Sequence, residues 1–226
     1  MSHRLRRFRL GLIVLSAVLV PLTSVQAQAP SNPNVNAQLL IAARQGDVAR
    51  AERLLGEGAV PASRNRLGKT ALLLACEKGD LAMATLMLGK GADIQQASLE
   101  GVTPLMAAAY NGNAALVRRL LAAGARTGPV DRMNKSAIVY AAGQGNADAV
   151  DAILASGIDV NAAYEHGLTL LMWAAGQGHG NVVKLLLARG ARAEPRDDRG
   201  LSAFDIARQT QHGEIAALLE RPKLPG

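Results

Sequence analysis

At 226 residues and 49% hydrophobic content, the chain can bury a sizeable core and is too apolar to be a disordered segment. With only Tyr 3, Phe 2 and Trp 1 among its aromatics, that core must come from aliphatic helices punctuated by glycine. The formal charge of +7 sits largely in Arg4, Arg6, Arg7 and Arg9, and residues 28–226 keep 21 Lys+Arg against 18 Asp+Glu. No basic run interleaved with aromatics follows, which argues against a nucleic-acid partner.

The N-terminus has the three parts of a secretory signal: a basic start, an apolar run of 11 residues from Leu10 to Val20, then Pro21–Ser24 leading to small residues at Val25 and Ala27. Cleavage is expected after Ala27, since a cut after Ala29 would leave Pro30 first. Crossing the hydrocarbon takes about 20 apolar residues, so no stable membrane insertion is expected once the signal is removed. Arg6-Arg7 resembles a twin-arginine signal, but Arg9 places a charge where that motif wants an apolar residue, which favours the general secretory route. The expected destination is the periplasm, with release from the cell as second choice. Residues 28–35 read as a disordered linker with two prolines, residues 36–221 as a repeat domain, and residues 222–226 as a tail. Cys76 is the one cysteine, so no internal disulfide forms.

From there the chain repeats with a period of 33 and no insertion. Thr70, Thr103, Ser136, Thr169 and Ser202 recur in one register; Leu39, Leu72, Leu105, Ile138, Leu171 and Phe204 in a second; Ala42, Ala75, Ala108, Ala141, Ala174 and Ala207 in a third. Six units result, over about 36–64, 65–97, 98–130, 131–163, 164–196 and 197–221. Gly46, Gly79, Gly112, Gly145 and Gly178 fall between two short apolar stretches, where a chain reversal needs a left-handed residue. Asp47, Asp80, Asn113 and Asn146 follow at once as N-caps of a second helix. Gly58, Gly91, Gly124, Gly157 and Gly190 end that helix, and a polar stretch then forms a hairpin into the next unit.

Gly101-Val102-Thr103-Pro104-Leu105-Met106-Ala107-Ala108-Ala109, with Gly112 and Gly124-Ala125 downstream, resembles an ankyrin repeat. The resemblance covers nearly all of the chain after the signal. It implies an all-α solenoid of six antiparallel helix pairs with projecting β-hairpin loops. One departure concerns the histidine that often follows Thr-Pro-Leu and bonds between hairpins; here the slot holds Leu40, Leu73, Met106, Val139, Met172 and Asp205. Cohesion between units is therefore expected to rest more on apolar packing. Arg208, Gln209 and Glu214 suit the solvated end face of a terminal cap. The slot of Arg208 holds Ala43, Cys76, Ala109, Ala142 and Ala175 elsewhere, which makes Cys76 a packing residue.

The sequence offers no catalytic constellation, metal set or cofactor fingerprint, and the reading is of a non-enzyme needing no cofactor. His179 and His212 share a register where the ankyrin pattern favours histidine, and His166 stands alone on a hairpin tip. Tyr140 and Trp173 share a register with Ile41, Leu74, Ala107 and Ile206 and are assigned to the core. The expected partner is another protein, bound by a monomer. Ankyrin domains bind through hairpin tips and the exposed side of the inner helices. That nominates the tips Arg66, Leu67, Leu99, Glu100, Arg132, Met133, Glu165, His166, Asp198 and Arg199. The inner-helix ends Arg44, Gln45, Glu77, Lys78, Tyr110, Asn111, Gln144 and Gln177 join them, and Leu99, Tyr110 and Met133 are expected to form the middle of the face. An adaptor for an exported protein is the leading role; an immunity protein or inhibitor that occludes a toxin or enzyme is the alternative. Sequencing the N-terminus of the exported protein should give Gln28 first, and a chain retained in the membrane fraction with Met1 intact would overturn the cleavage site.

Overall fold

The computed structural model describes residues 33–220 and contains six helix pairs. They are α1 (Pro33–Gln45) with α2 (Val48–Gly56), α3 (Ala71–Lys78) with α4 (Leu81–Gly89), and α5 (Pro104–Asn111) with α6 (Ala114–Ala122). The series continues with α7 (Ala137–Gly143) and α8 (Ala147–Leu154), α9 (Leu170–Gly176) and α10 (Gly180–Ala188), and α11 (Ala203–Gln209) and α12 (Gly213–Leu219). Odd-numbered helices pack on odd and even on even, and the odd row, with the more extensive contact over the stack as a whole, is the inner row of the pairs. Helices of 7 to 9 residues are marginal alone and are held by their neighbours. The even helices bury one stripe each and the odd helices most of their length, as residues 105–109 do in α5, and together they feed one continuous core from Leu39 and Ala42 in the first pair to Ile215 and Leu219 in the last.

Local chemistry explains the boundaries. Thr70, Thr103, Thr169 and Ser202 accept a bond from the backbone N–H three residues on, at 3.2 to 3.3 Å, and so start the inner helices. Their partners in the slot expected to lack a polar role reach back: the Sδ atoms of Met106 and Met172 receive the N–H of Thr103 and Thr169 at 3.4 Å, and the Asp205 carboxylate receives that of Ser202 at 3.0 Å. The slot thus closes the cap within its own unit in the third, fifth and sixth units. Glycine is required in mid-unit by two constraints at once. Gly145 and Gly178 have φ of 76° and 81°, and a Cβ there would lie 2.6 and 2.7 Å from the imidazoles of His179 and His212 in the following unit.

Polar bonds add to the apolar packing between units. Side chains at the mid-unit turn donate to the carbonyls that end the preceding inner helix. Lys78 Nζ bonds Gln45 O; Asn111 and Asn113 Nδ2 bond Glu77 O and Gly79 O at 3.3 and 2.8 Å. Asn146 Nδ2 reaches Ala109 O and Tyr110 O at 2.9 and 3.1 Å, and Asn181 Nδ2 reaches Gly145 O at 3.0 Å. His179 Nε2 lies 2.9 Å from Gly143 O, a structural role for that imidazole. Helix C-termini carry unpaired carbonyls, and here the next unit satisfies them. Asn113 also caps α6 through Oδ1, whereas Asn146 makes no side-chain cap bond.

The connections between pairs are tight turns; among the described residues no strand forms, and a single bridge joins Ala163 and Thr169. In four turns one oxygen, from Asn65, Ser98, Asp131 or Asp197, accepts the N–H groups two and four residues on. Neighbouring turns are joined by Leu99 N–H to Leu67 O, Arg132 N–H to Glu100 O, and Asp198 N–H to His166 O, each at 3.0 Å. Tyr164 occupies the anchoring position in the fifth unit and offers no such oxygen. That turn tightens into a 3₁₀ segment, Glu165–Gly167, with His166 at φ 59°. Glu165 makes no backbone bond to Met133, and Asn134 Nδ2 bonds the Glu165 carboxylate at 3.2 Å instead.

α1 begins at Pro33, so residues 33–35 of the expected linker are helical; its remainder, the signal segment and residues 221–226 lie outside the described residues. Cys76 is fully buried and burial pushes its thiol pKa up, which suits packing and disfavours the reactive thiolate. Arg208, Gln209 and Glu214 are exposed on the last unit, as a terminal cap requires. Removing one stitching bond should cost about 1 kcal/mol and losing a cap with it about 2. In urea unfolding, Asn113→Ala is therefore expected to lower stability more than Asn111→Ala, which loses one stitching bond and no cap, and equal losses would remove the double role of Asn113.

Candidate functional site

The side chains left on the inner face come from the last turns of the odd helices and from the turn tips. Tyr110 ends α5 with 54% of its surface exposed, and its ring meets Tyr140 of α7 edge-on, with centroids 5.7 Å apart at 79°. Trp173 of α9 lies in the same register as Tyr140. Lys135 Nζ is 5.8 Å from the Tyr140 ring centroid and 5.3 Å from that of Trp173, inside the range of a cation–π attraction. Tyr110, Met133, Lys135, Tyr140, Gln144, Trp173 and Gln177 wall a groove of about 230 Å³ spanning units three to five. Tyr110 and Tyr140 continue into a second groove of about 340 Å³ beside Glu77, and Trp173 and Gln177 into a third beside Arg199. The three form one run along the inner face.

All eighteen nominated residues are exposed: Arg66, Leu67, Leu99, Glu100, Tyr110, Asn111, Arg132, Met133, Gln144, Glu165, His166, Gln177, Asp198 and Arg199, and with them Arg44, Gln45, Glu77 and Lys78. The fold gathers four of them, Tyr110, Met133, Gln144 and Gln177, in the first groove. Leu99 is apart from these, folded over Gly68 at the turn tips beside Leu67. Arg199 is tied to Asp197 by two guanidinium bonds of 2.9 and 2.6 Å. Burial alone would raise the Asp197 pKa, but the N–H groups of Leu201 and Arg199 and the Arg199 guanidinium hold it below the usual carboxylate range. His166 stands 3.9 Å from the carboxylates of both Glu165 and Asp198.

The assignment of Tyr140 and Trp173 to the core is corrected. Both are partly buried at the groove, because their register marks the inner surface itself: Ala107 is covered there, whereas Ile41 in the first unit is 39% exposed. A slot that hides a methyl group leaves much of a ring outside. The Tyr140 hydroxyl donates to Asp131 Oδ2, while Asp131 Oδ1 anchors the turn through the N–H groups of Met133 and Lys135 at 2.8 and 3.0 Å. The Trp173 indole N–H is covered and finds no acceptor among the described residues. Lys135 was not singled out from the sequence; its signal lies in comparing units, where Lys69 has the same register.

Three overlapping matches to the family model described as ankyrin repeats (3 copies) cover residues 39–127, 82–164 and 139–223. The chain belongs to the ankyrin repeat family. A search of curated proteins gives no match. Ankyrin repeats are generally non-enzymatic modules that mediate binding to other proteins, and the exposed rings and amides of the ankyrin inner face are groups of that kind. Among the described residues no cluster of three metal-binding side chains occurs, and no helix is long and apolar enough to cross a membrane.

Desolvation raises the pKa of Tyr140, with the Asp131 bond adding to it, and pushes Tyr164 up to about 12. An unfolded tyrosine ionises near 10, so these two groups stabilise the ankyrin stack fully below pH 10 and lose that contribution as pH rises from there toward 12. Thermal unfolding between pH 8 and 11.5 should show a fall above pH 10 that is shallower in Tyr140→Phe/Tyr164→Phe; identical slopes would contradict the assignment.

Proposed function

We propose that this ankyrin chain is an exported, non-enzymatic binding module that works in the periplasm, as a monomer, as an adaptor or accessory factor for another exported protein. The observation that carries the reading is the aromatic groove across units three to five, where Tyr110 and Met133 leave 54% and 56% of their surface in solvent. Exposed rings over a well-packed base are costly to leave bare and concentrate binding energy when a partner covers them. The signal-like N-terminus supports export, and the short apolar run supports release from the membrane. Mixed charge on the rim, with Arg132, Glu165, Asp198 and Arg199 side by side in the turns, fits an adaptor better than an inhibitor of a strongly charged active site.

The test is capture from periplasmic extract with the exported chain and with Tyr110→Ser/Met133→Ser. The double variant should hold its partner at least about tenfold more weakly, since each anchor is worth about 1 kcal/mol or more. Its melting temperature should stay close to that of the parent, because both side chains lie on the surface. Unchanged capture would sink this face as the binding site, and recovery of the chain only from the cytoplasm would sink the periplasmic role.

A further inference from the structure

The internal repeat supplies its own comparison for Lys135. Two units earlier, Lys69 holds the same register and pairs with Glu77 at 2.6 Å. The residue in the Glu77 register beside Lys135 is Gly143, the last residue of α7, and a Cβ built there meets nothing within 4 Å. The fourth unit therefore has the lysine of the second unit without its carboxylate, and open space where that carboxylate would stand. Asp131, four residues earlier, does not take over: one oxygen receives the Tyr140 hydroxyl and the other anchors the turn. No carboxylate among the described residues lies within 4 Å of Lys135 Nζ, which rests against the faces of Tyr140 and Trp173. The neighbouring acids are engaged, Glu77 by Lys69 and Glu165 by Asn134.

We propose that the groove at Lys135 receives an acidic side chain, aspartate or glutamate, from an extended segment of the partner protein, in the place that Glu77 fills in the second unit. The proposal rests on the protein-binding reading above and adds the chemistry of what is bound. Lys135 supplies the charge, and its backing by two rings limits its hydration, so a carboxylate meets a cation that is already partly desolvated. The amides of Gln144 and Gln177 on the groove wall can bond the segment's backbone, and Tyr110 and Met133 take an apolar neighbour of the acid. Specificity follows from the same arrangement, because a basic side chain in this position would meet Lys135 with no carboxylate free to offset it.

The probe is a library of random ten-residue peptides, displayed internally so that neither end is free, panned on the chain as exported. Enriched peptides should carry Asp or Glu beside an apolar residue and lose at least tenfold in affinity on Lys135→Gln. They should lose as much on Gly143→Glu, which rebuilds the Lys69–Glu77 pair inside the groove. The second variant guards against misfolding of the first, since it adds a side chain into open space at a helix end, and its melting temperature should not fall. Binders without an acidic residue, or acidic binders indifferent to both variants, overturn the proposal. Enrichment only in a parallel library with free C-termini overturns it too, by assigning the site to a terminal carboxylate. Binders lost in Tyr110→Ser but unaffected at Lys135 reject the acidic ligand while leaving the binding face standing; a library that yields no binder on any variant counts against both.

Discussion

The constraint on which everything else depends is that no helix here is long enough to stand alone. A helix of eight residues has about twice as many unpaired backbone groups at its ends as bonds within it, and apolar contact does nothing for those ends. The stack answers by having each of the second to fifth units satisfy the one before it. The carbonyls of Gln45, Glu77, Gly79, Ala109, Gly143 and Gly145 all receive a side chain from the following unit. This stitching keeps the inner helices at close range and fixes the spacing of whatever they present. The period cannot drift, because one inserted residue would move a donor such as Asn146 away from its two acceptors.

A second row of bonds runs along the turn tips, and it is open at one place. Between the fourth and fifth units the Met133 carbonyl and the Glu165 N–H are not joined, because Tyr164 cannot provide the oxygen that shapes the other turns. The groove walled by Met133, Lys135, Tyr140 and Trp173 begins at that point. A row of tips bonded to each other has no backbone groups to offer a ligand; an interruption frees a carbonyl and an N–H beside the rings. The same unit that loses the anchor is thus the unit where a partner's backbone would find bonding groups.

The fold was legible because its determinants are local and repeated. Thr103 before an apolar run, Gly112 after it and Asn113 next are each a one-position rule, and their recurrence in register, in five, five and four of the units, makes chance agreement untenable. The environment of Cys76 could be read from the alanines at equivalent positions. The stitching was harder to see, because Asn113 reads as a cap and gives no sign that its amide, unlike the carboxylate of Asp80, has a donor left for its neighbour. Tyr140 and Trp173 were misplaced because burial in a repeat belongs to the slot and the size of the residue together. Averaging over Leu74, Ala107 and Ile206 describes the slot, and a ring is larger than the slot.

The binding face is illegible to motif reasoning for a related reason. Ankyrin sequences are read by what repeats, whereas a site is made where the repetition fails. Lys135 without the carboxylate that pairs with Lys69 two units earlier, Tyr164 in place of an Asx or serine, and Trp173 in place of an aliphatic residue lie together in the fourth and fifth units, and none is conspicuous by itself. Each carries a cost: an unpaired cation, a strained turn with His166 at φ 59°, and an indole N–H without an acceptor. Scattered through the stack, such costs would read as drift. Gathered along one groove in the middle units, where the stitching of the neighbouring helices holds the backbone rigid, they are what a surface committed to a partner would be expected to retain.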